Sequence, residues 1–183
     1  PATTCRATAR AQARRARAAG ALKTVGPSEL LDFDTRRLSR LVWAYARIKV
    51  FDAPLLSAIA AASIRLISDF DGQDLAITAW SWAKLAFRDP PLLQSISAAA
   101  LARISDLGPQ NLSNLAWSWA ALRLRDCPLL AAIASSAITK ISELISQELA
   151  NTAWAFAKLS FHHWPLRNAI SSEAIRRITA KDE

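Results

Sequence analysis

QELANTAWAFAKLSF, residues 147–161, decides the fold, because three earlier copies of it stand in the same chain. Trp43, Trp80, Trp117 and Trp154 recur every 37 residues with no insertion or deletion between them. Two residues after each comes a second aromatic: Tyr45, Trp82, Trp119 and Phe156. Pro54, Pro91, Pro128 and Pro165 follow at one further fixed offset. Columns that coincide at a single period define a repeat protein, and the rest of the chain is read in that frame.

The 148 residues from Arg36 to Glu183 divide into four units of 37, at 36–72, 73–109, 110–146 and 147–183. Each unit reads as two helices, A over roughly 73–87 and B over roughly 91–106 in the second copy. The turns between them, FDAP at 51–54, FRDPP at 87–91 and RDCP at 125–128, suit a helix start. Asp52, Asp89 and Asp126 can cap helix B, and proline in its first turn loses no hydrogen bond. The fourth copy has His162-His163-Trp164-Pro165 there, so the Asp cap is expected to be lost. The predicted fold is all-α: one continuous right-handed α-solenoid of about four stacked helix-turn-helix repeats. Residues 1–35 are a basic N-terminal segment. Leu22, Leu30 and Phe33 fall one period before Ile59, Ile67 and Phe70, which suggests a degenerate half-repeat over 22–35.

Composition agrees with this class. Hydrophobic residues make up 52% of the chain and glycine only 4 residues, a balance that favours helix over sheet. No apolar run reaches the ~18–20 residues that a membrane-spanning helix needs, so no membrane insertion is expected. There is no methionine, so the sequence reads as an excerpt or a processed product. Cys5 and Cys127 stand alone without metal-ligand spacing, and neither a disulfide framework, a metal site nor a cofactor is expected. The Ala/Arg-rich stretch 1–20 has the acid-poor character of an organellar transit peptide but lacks its serines. A capping helix or basic linker explains it as well.

The net charge of +8 sits mainly at the start: residues 1–35 and repeat 36–72 carry +3 each, repeat 73–109 is neutral, and the last two carry +1 each. A basic balance favours an anionic partner, nucleic acid first, although ordinary surface charge accounts for a pI near 10.3 equally well.

Helix B shows a clear buried face. Leu55, Leu92, Leu129 and Leu166 occupy one column, and Ile59, Ile96, Ile133 and Ile170 the next. Ile67, Ile104, Ile141 and Ile178, then Phe70, Leu107 and Leu144, extend it at helical spacing. At its edge Arg103, Lys140 and Arg177 form a candidate secondary basic rail, their stems snorkelling outward.

Helix A is apolar nearly all round, with small residues in the columns 39/76/113/150, 42/79/116/153 and 46/83/120/157 that allow close approach. One stripe stays polar or small. It reads Arg37, Arg40, Ala44 and Arg47 in the first copy, and Asp74, Ile77, Ser81 and Lys84 in the second. The third gives Asn111, Asn114, Ser118 and Ala121, and the fourth Glu148, Asn151, Ala155 and Lys158. A constant scaffold with changing side chains at one structural position suits single-stranded RNA, with Asn reading base edges and Arg or Lys holding phosphate. Against this, Asp74 and Glu148 repel phosphate. The tryptophans of the 43/80/117/154 column are expected in the inter-repeat core, where burying such a ring is worth ~4–6 kcal/mol gross. Stacking on a base is their competing role.

QDLAITAWSWAKL at 73–85, QNLSNLAWSWAAL at 110–122 and QELANTAWAFAKL at 147–159 resemble the helix A signature of octotricopeptide repeats. The period of 37 is closer to the related heptatricopeptide repeats, and DPPLL at 89–93 is similar to their proline-bearing segment. The first copy, RRLSRLVWAYARI at 36–48, departs from it by placing Arg36 and Arg40 where the signature has Gln and Asn. The resemblance implies an α-solenoid that binds single-stranded RNA or rRNA in a mitochondrion or plastid, in RNA processing, translation or ribosome assembly. Members often carry a C-terminal RAP domain. The rival function is a protein-binding scaffold or a structural subunit of an organellar ribosome or other large assembly. No enzyme and no small-molecule substrate is expected: His162 and His163 lack partners in sequence, and no Gly-rich phosphate loop or GxSxG turn occurs.

Overall fold

The computed structural model describes residues 34–180. The half-repeat and the transit-like stretch lie, apart from positions 34 and 35, outside the described residues. Among the described residues, eight α-helices alternate as A and B members of four hairpins. Helices A are α1 (Thr35–Ile48), α3 (Gly72–Leu85), α5 (Pro109–Ala121) and α7 (Ser146–Lys158). Helices B are α2 (Ala53–Arg65), α4 (Pro90–Ala102), α6 (Cys127–Thr139) and α8 (Trp164–Thr179). Each helix A packs on the next helix A and each B on the next B, which makes an α-solenoid.

The turn chemistry repeats as faithfully as the sequence. Asp52, Asp89 and Asp126 each accept a hydrogen bond from the backbone N–H of Leu55, Leu92 and Leu129, at 3.0–3.2 Å. The fourth copy has no Asp cap, and His163 takes its place: its Nδ1 accepts from Leu166 N–H at 3.2 Å. At the other end of the hairpin, Lys49, Ala86, Arg123 and Ser160 take left-handed backbone conformations with φ of 50–56°. The next residue then returns its N–H to the carbonyl of Tyr45, Trp82, Trp119 or Phe156. That bond closes each helix A in the manner of a Schellman turn, here without glycine.

Those four aromatics are the centre of the core. Trp82 is 0% exposed and Trp119 2%, with Tyr45 and Phe156 also buried. Ser39, Ala76 and Ser113 lie buried between consecutive helices A, together with Val42, Ala79 and Ala116. Small side chains there let the A layer pack more tightly than the B layer. An array whose layers differ in spacing bends toward the tighter one, so the stack curves toward helix A.

Helix B is shorter than the sequence pattern suggests. It ends at Arg65, Ala102 and Thr139, and Phe70, Leu107 and Leu144 enter the core from the linker that follows. The carbonyls freed there are taken by the next repeat. Arg103 donates to the carbonyls of Ser68 and Phe70. Lys140 donates to those of Ser105 (2.7 Å) and Leu107 (2.6 Å), and Arg177 to that of Ser142 (3.2 Å). These carbonyls belong to the linker between helix B and the next helix A, where no helical partner reaches them, and the cations supply the missing donors. The expected basic rail is therefore an inter-repeat clamp.

Two local consequences can be measured. Glu173 is buried and accepts from Arg176 at 2.6 Å and from Arg177 at 2.6 Å, which orients the last clamp. These hydrogen bonds, Arg176 first, hold its carboxyl at about 2. A carboxyl lowered in the folded state stabilises fully above its ordinary value of about 4.3, and that stability is lost as pH falls through about 2. Thermal melts should show the wild type losing stability across that window and Glu173→Gln, already weaker at neutral pH, losing less. The second concerns Thr78, which is 0% exposed and whose hydroxyl finds no partner. Thr78→Val keeps the shape and removes the unsatisfied group, and should raise Tm by about 2–4 °C.

Candidate nucleic-acid interface

The side of helix A that meets solvent is rotated from the stripe expected in the sequence. Ser81 and Ser118 are 0% exposed, and their hydroxyls donate back to the carbonyls of Ile77 (2.7 Å) and Asn114 (2.6 Å) within the same helix. Asp74 is 5% exposed and accepts from the Ser39 hydroxyl at 2.6 Å, which ties α3 to α1. Glu148 turns back to accept from Ile145 N–H at 2.9 Å, capping its own helix. Arg37 faces Asp34 at 3.6 Å, at the start of α1. Asn111 is half-buried. Arg40, Ile77, Lys84, Asn114, Asn151, Lys158 and Arg47 remain on the accessible side.

The tryptophans join them. Contrary to the expected core position, Trp43 is 43% exposed and Trp154 44%, with Trp80 and Trp117 half-buried. Trp80 and Trp117 have ring centroids 6.4 Å apart, and Trp117 and Trp154 are stacked at 6.2 Å and 25°. Cations lie over the rings: Arg47 over Trp43 at 5.5 Å, and Lys84 over both Trp80 (5.4 Å) and Trp117 (5.0 Å). Such contacts hold a cation beside a ring face without neutralising it.

The accessible stripe thus runs through the columns 36/73/110/147, 40/77/114/151, 43/80/117/154 and 47/84/121/158. Offsets of 0, 4, 7 and 11 fall within about 60° on a helix with ~3.6 residues per turn. Four tryptophans, five carboxamides (Gln73, Gln110, Gln147, Asn114, Asn151) and five cations (Arg36, Arg40, Arg47, Lys84, Lys158) occupy it, with Ile77 and Ala121. No acidic residue stands in any of these columns. Arg36 approaches Asp71 at 4.0 Å, an exposed pair of little energetic weight. The stripe follows helix A, on the side toward which the stack curves.

A polar pocket of about 300 Å³ opens on this stripe among α1, α3 and α5, with Trp43 and Trp80 among its walls. A larger cleft, about 440 Å³, lies at the other end against Phe156, Phe161 and Trp164. It is apolar because it is the stacking edge of the fourth hairpin: Ala79 and Ala116 are buried by a following repeat, whereas Ala153 is exposed.

Fold and stripe together define an α-helical repeat protein with an indole-, amide- and cation-bearing face. The model of the RESC6 family, described as RNA-editing substrate-binding complex 6 protein, matches residues 32–182, and the chain belongs to that family. No curated protein matches the sequence. No helix among the described residues is long and apolar enough to cross a membrane.

Proposed function

We propose that this chain is a non-catalytic RNA-binding module that holds single-stranded RNA along the helix A stripe, as one component of an RNA-editing complex. The observation that carries the reading is the composition of the stripe: indoles, carboxamides and cations with no acid among them. Indoles stack on any base, carboxamides pair with base edges, and cations hold phosphate. The acidic residues that spoke against RNA are withdrawn from the stripe, Asp74 beneath Ser39 and Glu148 into its own helix end. The family name supplies the complex, and with it both RNA and protein partners. The likeness to heptatricopeptide and octotricopeptide repeats supports the same ligand and adds a mitochondrion or plastid as the compartment.

The exposed apolar side chains of α8, Trp164, Ile175 and Ile178, favour a protein neighbour at that end of the array. A scaffold role in a large assembly is therefore the second reading. Fluorescence anisotropy of the chain with single-stranded RNA of mixed sequence, at two salt concentrations, separates the two. Binding that weakens with salt is the expected result. A folded, helical sample that does not bind at low salt would leave the scaffold role.

A further inference from the structure

We infer that the polar pocket among α1, α3 and α5 is a seat for one unpaired nucleobase, held against the indoles of Trp43 and Trp80 and read by carboxamides. The inference rests on the RNA-binding reading and names what that reading places at one point of the stripe. About 300 Å³ is at the small end of ligand pockets, room for a single heterocycle. The polar groups in its wall are the side chains of Gln73, Gln110, Asn111 and Asn114, and Ile77 completes it. None is charged. A neutral wall of amide donors and acceptors beside indole faces suits a neutral planar group with donors and acceptors on its edge, which describes a base better than a phosphate, whose charge no cation in this wall would meet.

The ladder gives the second argument. Ring contacts among the described residues join Trp80 to Trp117 and Trp117 to Trp154, and leave Trp43 out. Among the described residues, the Arg47 guanidinium lies over the Trp43 ring. A base in the pocket would meet indole surface from both Trp43 and Trp80 and extend the ladder into the first repeat. The cations that would hold the flanking phosphates, Arg40 and Arg47, lie one turn to either side of Trp43 on α1. Asn111, which lies off the accessible stripe, is explained by this pocket, because it faces inward from α5 to line it.

The test compares a single-stranded RNA of mixed sequence with an abasic strand of the same length, both titrated into the wild-type chain. Trp43→Ala and Asn114→Ala are then titrated in the same way, with circular dichroism melts as the fold control. The wild type should bind the RNA at least tenfold tighter than the abasic strand, and each variant should lose the part of that margin that one base supplies, about three- to tenfold, while its affinity for the abasic strand stays put. Variants that keep the full margin overturn the base seat and leave salt-dependent RNA binding standing. Failure of either strand to bind overturns the RNA reading and the base seat together. Quenching of the wild-type tryptophan fluorescence by a phenylalanine-bearing peptide and not by RNA would assign the pocket to a protein side chain.

Discussion

Trp82→Ala should largely unfold the array, and Trp80→Ala, two residues earlier in the same helix, should leave it standing. Trp82 is 0% exposed and sits at the centre of the core. Truncating so large a buried ring costs ~3–5 kcal/mol, enough to lower Tm by about 10 °C or more. In a linear array the damage spreads, because repeats 1 and 3 both lean on repeat 2. Trp80 is half-buried and contributes a tilted ring contact with Trp117 and a place for Lys84. Losing these costs ~1–2 kcal/mol. Its effect should appear in RNA affinity, about tenfold weaker, because a stacking surface is gone. Thermal denaturation should therefore separate the two variants, and only Trp80→Ala should lose RNA affinity while its melting curve stays close to the wild type.

The pair shows what could and could not be read from the chain. Period, hairpins, prolines, caps and the Leu and Ile columns are all visible in sequence, because each is a constant residue at a constant offset. The phase of helix A is not. Positions 43 and 45, like their equivalents in the later repeats, lie ~200° apart on the helix, and both are aromatic, so hydrophobicity does not say which faces inward. The missed signal was polar. Column 36/73/110/147 holds Arg, Gln, Gln and Gln, and it shares a face with the first tryptophan, whereas Ser81, Ser118 and Ala155 are merely small. Small residues mark close packing as readily as solvent.

The clamp was hidden for a different reason. Arg103, Lys140 and Arg177 form a basic column beside a buried face, and only the backbone shows that helix B of each preceding repeat ends early, at Arg65, Ala102 and Thr139. Carbonyls of the preceding repeat then stand within reach. His163 is a similar case, since an imidazole in its neutral form accepts at Nδ1 as a carboxylate does.

Two triple variants that remove the same formal charge should consequently behave in opposite ways. Changing Arg40, Arg47 and Lys84 to Ala removes cations from the stripe while breaking no hydrogen bond to the backbone and losing only exposed cation–ring contacts, so Tm should fall by a few degrees at most. RNA affinity at low salt should fall about ten- to hundredfold, and the salt slope should drop by about 0.7 for each phosphate that is no longer neutralised. Changing Arg103, Lys140 and Arg177 to Met keeps the stems and deprives the carbonyls of Ser68, Phe70, Ser105, Leu107 and Ser142 of their donors. The carbonyls of Phe70 and Leu107 are part-buried, and leaving each without a donor costs ~1–3 kcal/mol, so this variant should melt early. Below its melting point it should still bind RNA with the wild-type salt slope. An equal fall in salt slope in both variants would mean that RNA responds to the net charge of the whole chain and not to the stripe. Because the charge removed is matched, only the position of the cations can separate the two results.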